Sequence, residues 1–203
     1  MKRVILDTNI YGRIIERREE ETAISLMQSR HDVLIYGFDV IRKEIRQTPK
    51  MALVSGRNLR TVLLRLYDSI VATRFYFTTS AVGQIAEDYY VAYRNLGGKC
   101  DKKEIINDFL IVACASIHEL DLVASDDDRT LKDGFSTKAC KIVNDLKMYR
   151  TPQFYSYEVA QNFSSLDNFF PELVTCFIQI TESHLQTEHI NSLSDQARIG
   201  GAA

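Results

Sequence analysis

The chain has 203 residues, with 25 lysines and arginines against 27 aspartates and glutamates, for a formal net charge of -2. That length suits one domain with an appendage, and it buries most of the unfolded chain's surface without help from disulfides. A near balance of charge is not the overall basic surplus common in nucleic-acid-binding domains, so any such reading rests on local charge.

Cys100, Cys114, Cys140 and Cys176 lie far apart and lack the close pairs of a zinc site; they are read as reduced, mostly buried thiols. His31, His118, His184 and His189 show no metal-ligand spacing either. The N-terminus reaches Asp7 without a signal peptide's apolar core, and no apolar run approaches the ~18 residues of a membrane span. A cytoplasmic protein with no membrane partner is expected.

Arg3-Val4-Ile5-Leu6 is a β-branched and apolar run, too short for a core helix, that empties abruptly into Asp7, Thr8 and Asn9. It reads as a buried strand entering a polar loop. Ligands of open α/β sheets sit outside the carboxyl ends of the strands, so Asp7 is a candidate site residue, with a helix N-cap as its ordinary role. Residues 9–30 read as helix, broken by the charged run 16–21. Residues 32–36 form a second strand ending at Gly37, and residues 38–46 a helix carrying Glu44. Two βα steps in succession predict a parallel sheet with crossover helices.

Thr48-Pro49 stops that helix, because the residue before a proline is pushed out of helical geometry. A longer helix is expected over 51–71. The stretch 74–79 (RFYFTT) is a strand or an extended connector, and 81–96 a helix ended by Gly97-Gly98. The next helix, 102–120, is apolar all round except at its start, as a helix in a domain centre is, and Asp108 is its awkward residue. A carboxylate beside an apolar helix is costly without a partner. Residues 121–125 form a third strand that also ends in acids, Asp126, Asp127 and Asp128. A helix over 137–148 and a strand over 153–157 follow. From Val159 onward, apolar residues such as Phe163, Leu166, Phe170 and Phe177 suit a helical extension packing on the domain or on a second subunit, with its last residues poorly ordered.

Asp7, Glu44, Asp108 and Asp126 therefore stand out. If they converge, a cation is needed, since two carboxylates ~4 Å apart repel by roughly 4 kcal/mol at an effective dielectric near 20. An oxygen-only ligand set without His or Cys suits Mg²⁺ or Mn²⁺ over zinc, and such a site is built for in-line hydrolysis of a phosphodiester.

Asp7-Thr8-Asn9 after an N-terminal strand, Glu44 within VIRKEI, Asp108 within NDFLIVA and Asp126 within LVASD together resemble the PIN-domain nucleases, toxin-type ribonucleases among them. The similarity covers roughly residues 1–150, leaving 151–203 as a C-terminal extension. It implies an α/β fold, a three-layer α/β/α sandwich around a central parallel sheet, and a Mg²⁺- or Mn²⁺-dependent endoribonuclease acting through metal-activated water. Carried over, Asp7, Glu44, Asp108 and Asp126 are the catalytic, metal-binding acids and Asp128 an additional ligand, with a helix N-cap as its other role. Thr8 and Asn9 orient Asp7 or a metal-bound water. The family's last motif commonly has a threonine two residues before its acid; Ala124 stands there, with Ser125 beside the acid as the replacement hydroxyl.

From Arg42 to Arg65 seven basic residues face one acid, Glu44, and Arg46, Lys50 and Arg57 are singled out as RNA contacts. Phe75, Tyr76, Phe77, Tyr89, Tyr90 and Tyr93 are read as core before base-stacking residues. The expected partners are RNA, an antitoxin protein if the chain is a toxin, and a second copy in a homodimer. The alternative function is a catalytically silent nucleic-acid-binding or assembly module of the same fold.

Overall fold

The computed structural model describes residues 1–29, 31–127, 131 and 133–157. The sequence between Val159 and Ala203, and with it the expected extension, lies outside the described residues. Five strands build one parallel sheet: β1 (Lys2–Leu6), β2 (Val33–Phe38), β5 (Phe75–Tyr76), β6 (Leu122–Ala124) and β7 (Gln153–Tyr155), in the order β5-β2-β1-β6-β7. Helices flank it on both sides in a three-layer α/β/α sandwich, as expected. β7 lies beyond residue 150 yet pairs in register with β6, so the sheet draws on the chain as far as Tyr155.

Parallel strands covered on both faces require continuous apolar runs. β1 buries Val4, Ile5 and Leu6 in succession, and β6 buries Leu122, Val123 and Ala124. Helices α1 (Thr8–Glu16), α2 (Glu20–Ser29), α3 (Asp39–Gln47) and α4 (Leu59–Val71) pack on one another. α5 (Ser80–Asn95) packs on both α6 (Lys102–Ile117) and α7 (Gly134–Lys147). The central α6 buries every residue from Ile111 to Ser116. Cys114 and Cys140 are buried thiols and Cys100 is half-buried.

One break falls where it was expected and one element differs. The stretch 9–30 is two helices, parted inside the charged run 16–21, where Arg18 takes a left-handed φ of 60°. The helix expected from Met51 begins only at Leu59, because Leu53–Val54 (β3) and Arg57–Asn58 (β4) form a hairpin first. Its loop is Ser55-Gly56, with φ of 48° and 75°. Two successive positive φ angles are the signature of the type I′ turn that short hairpins use, and Ser-Gly supplies them at low strain. Asn58 then caps α4 by accepting the Thr61 N–H. Among the described residues no helix is long and apolar enough to cross a membrane.

Where β2 ends, Gly37 lets Tyr67 of α4 approach the backbone. The Tyr67 hydroxyl accepts the Phe38 N–H at 2.8 Å and donates to the Phe38 carbonyl at 3.1 Å. A Cβ at Gly37 would lie 2.5 Å from that hydroxyl, 2.5 Å from Val71 and 2.9 Å from Phe75. Gly37→Ala is therefore expected to destabilise the protein by about 1–3 kcal/mol through overpacking, read as a lower urea midpoint. Gly83→Ala, in α5 with nothing within 4 Å of its added Cβ, is the control and is expected to leave the midpoint unchanged or higher.

Candidate active site

The carboxyl ends of β1, β2 and β6 lie side by side because the strands are parallel and in register, with Leu6 opposite Ala124 and Ile5 opposite Tyr36. The Asp7 N–H extends the ladder by donating to the Ala124 carbonyl at 2.9 Å. That bond fixes where Ser125 stands. The Ser125 hydroxyl donates to Asp7 Oδ2 at 2.7 Å and accepts from Asn9 Nδ2 at 3.1 Å and the Asp127 N–H at 3.0 Å. A hydroxyl has one proton to give and two lone pairs, and all three are used here.

Asp7 is 5% exposed. It occupies the N-cap of α1, and its Oδ1 accepts the Thr8 N–H at 2.6 Å. A capping acid would stop there, but Asp7 Oδ2 also receives Asn9 Nδ2 at 2.8 Å and the Ser125 hydroxyl. Burial pushes the Asp7 carboxyl from 3.8 up to about 6. The bonds from Ser125 and Thr8 pull the other way, and the charges of Glu44 and Asp127 add to the rise.

Glu44 arrives from α3. The Thr8 hydroxyl donates to its Oε2 at 2.6 Å and Asn107 Nδ2 to its Oε1 at 2.6 Å. Thr8 thus links two expected acids, with its backbone on Asp7 and its side chain on Glu44. Asn9 fills its expected role at Asp7 and also accepts the Asp126 N–H at 3.1 Å.

The other predicted residues stand differently. Asn107 of α6 meets Glu44, and Asp108 lies about 100° further round the helix. On α7, burial pushes the Cys140 thiol up and the charge of Asp108 adds to the rise. Asp126 is turned to the side: Oδ2 accepts Arg13 Nε at 3.1 Å and Oδ1 the Tyr157 N–H at 2.6 Å. It joins α1 to the chain leaving β7. Asp127 is the acid of this turn whose charge reaches Asp7. Asp128 lies outside the described residues.

Asn107 and Asp127 are the contributors that the sequence reading missed. For Asp127 a signal was present, because the hydroxyl two residues before an acid, absent at Ala124–Asp126, is met by Ser125–Asp127. For Asn107 there was none beyond its place beside Asp108. Of the basic residues, Arg46 and Lys50 are exposed. Arg57 ion-pairs with Glu20 at 2.6 Å, and both line a groove of about 330 Å³ between α2 and α4.

Asp7, Glu44 and Asp127 offer carboxylate oxygens without nitrogen or sulfur, which fits a hard divalent cation in kind. Among the described residues no three His, Cys, Asp or Glu side chains form a set that would hold a metal ion. Asp7, raised by burial next to two further acids, is the group whose ionised form a cation would favour most. No protein-family model matches the chain, and no curated protein matches it significantly.

The raised Asp7 carboxyl makes stability depend on pH in a defined direction. The folded protein holds this proton more tightly than the unfolded chain does, so the contribution is complete below about pH 4 and is lost as pH rises through about 6. The interval from 3.8 to about 6 corresponds to about 3 kcal/mol. Urea unfolding in EDTA is expected to show stability falling between pH 4 and pH 7 by on the order of that amount, with the fall much reduced in Asp7→Asn. An identical slope in the two proteins would show that Asp7 is not its source.

Proposed function

We propose that the chain is a metal-dependent endoribonuclease of the PIN class that hydrolyses RNA phosphodiester bonds. The observation that carries this reading is the buried Asp7 at the carboxyl end of β1, tied through Ser125 to the Asp127 turn and through Thr8 to Glu44. A buried carboxylate surrounded by donors and further carboxylates has the character of a cation site more than of a fold-stabilising cap. The order of the acids along the chain, Asp7 after β1, Glu44 on α3, Asp108 on α6 and further acids after β6, is the pattern on which the resemblance rests.

Asp7, Glu44 and Asp127, which among the described residues do not form a ready-made ligand set, are the acids we assign to Mg²⁺ or Mn²⁺. When bound, the ion supplies an activated water and neutralises charge on the scissile phosphate. The chain's own contribution is orientation. Three donors fix the Asp7 carboxylate, with Thr8 and Asn9 from one side and Ser125 from the other. Thr8 and Asn107 hold the two oxygens of Glu44, and the Ser125 hydroxyl holds the backbone at Asp127. Catalytic groups kept in place by such partners lose little on binding substrate. No covalent nucleophile is needed, because water attacks in line.

Cleavage of pooled RNA with Mn²⁺ tests the proposal. Asp7→Asn is expected to lower the rate at least ~100-fold while the protein stays folded, as expected on losing a charged group that stabilises the transition state. Cleavage by Asp7→Asn at the wild-type rate would refute the assignment. Asp127→Asn is expected to behave like Asp7→Asn. Asp126→Asn, which weakens the ties to Arg13 and Tyr157, is expected to lower the melting temperature and to retain cleavage within about ten-fold.

A further inference from the structure

The aromatic stretch after α4 divides into three roles. Tyr76 is enclosed, stacked on His118 at 3.7 Å and on Tyr36 at 5.3 Å. Phe75 packs against the core and meets Phe77 edge-on, with ring centroids 4.9 Å apart at 69°. Phe77 itself is 68% exposed. It follows the carboxyl end of β5, an edge strand parallel to β2, and so stands at the same end of the sheet as Asp7.

An exposed phenylalanine is ordinary when it stands alone on a mobile loop, but this one is held from both sides. Phe75 supports the ring from below. The next residue, Thr78, gives both its N–H, at 3.0 Å, and its hydroxyl, at 2.7 Å, to Asp39 Oδ1 at the start of α3. Asp39 is the acid nearest Phe77 on α3, and these bonds occupy it. One and two turns further along the same face of α3 stand Lys43 and Arg46, both exposed. Arg42, by contrast, is ion-paired with Asp68 at 3.0 Å. Glu44 lies on the same helix, about 7.5 Å along the axis from Asp39 at ~1.5 Å per residue, with its carboxylate turned to Thr8.

We infer that Phe77 is a stacking platform for an unpaired nucleobase, with Lys43 and Arg46 taking the flanking phosphates, so that a single strand crosses the rim of the sheet toward Asp7. A flat apolar ring beside two cations matches the alternation of base and phosphate in a single strand, and neither feature alone would select it. A duplex hides its base faces and gains nothing from the ring. The inference rests on the nuclease reading for the strand's destination; base stacking at Phe77 stands or falls separately.

The chain contains no tryptophan, so Phe77→Trp places a single fluorescent reporter at the position. The full-length protein in EDTA is titrated with octaadenylate RNA and with an abasic octamer of equal charge. The octaadenylate is expected to quench the reporter and saturate, and the abasic strand to bind about ten-fold more weakly. Phe77→Ala is expected to weaken octaadenylate binding about ten-fold and leave abasic binding and the melting temperature unchanged, as the loss of one stacked base requires. Lys43→Ala is expected to reduce the slope of log affinity against log salt by about one for either strand. Equal binding of the two strands by the wild type, or unchanged octaadenylate binding by Phe77→Ala, overturns the inference and marks the ring as a contact for a protein partner. Loss of binding in Phe77→Ala together with no cleavage of RNA by the wild type in Mn²⁺ would leave the platform standing and remove the nuclease assignment.

Discussion

A carboxylate taken out of water must either find donors or give up its charge, and at Asp7 both occur. Its two oxygens receive a backbone N–H, an amide and a hydroxyl, yet burial still holds its ionisation near neutrality, at about 6. The features around it follow from this requirement. The bond from the Asp7 N–H to Ala124 brings the ends of β1 and β6 level. That places Ser125 within reach of the acid, and Ser125 in turn holds the backbone at Asp127. Thr8, one residue along, meets Glu44 from α3. A sheet of another register would take Ser125 away from Asp7.

The identity of the residues that face the centre is decided by elementary geometry more than by residue type. Neighbours on a helix point about 100° apart, so Asn107 and Asp108 face different ways. Asn107 meets Glu44, which suits it as a donor to a carboxylate oxygen. The same selection works in the turn after β6. With Ser125 fixed by Asp7, the next side chain, Asp126, swings toward Arg13 and the Tyr157 N–H, and the Asp127 charge is the one felt at Asp7. Asp126 serves as a brace between α1 and the end of β7. An acid in the expected motif thus fills a structural place, and its neighbour is the one whose charge reaches Asp7.

Much of the fold was legible because it is written in burial. The short apolar runs at Val4–Leu6, at Val33–Ile35 and at Leu122–Ala124 read as strands of a covered sheet, and the first and last end in a polar turn. The hairpin before α4 was missed because its strands are two residues each and its only signal is Ser55-Gly56, a pair whose meaning lies in backbone angles. In the site, Asp7 and Glu44 were legible from their place after strands, and Thr8, Asn9 and Ser125 entered as what the PIN resemblance implied. Asp127 was signalled by the hydroxyl two residues before it and Asn107 by nothing, since the side to which a residue points depends on the register of β1 with β6 and on the rotation of α6. Tertiary contacts set both. Arg57 shows the converse, because a basic residue in a basic segment is engaged by Glu20 from α2, a neighbour that sequence order does not reveal.

The central claim is that the acids gathered at the carboxyl ends of the strands bind a divalent cation, and calorimetric titration with Mn²⁺ at pH 7.5 tests it most directly. The account predicts saturable binding by the wild type, lost in Asp7→Asn and in Asp127→Asn and kept in Asp126→Asn. No binding by the wild type, with RNA affinity intact, would contradict it and make the chain a nucleic-acid-binding module on the same fold.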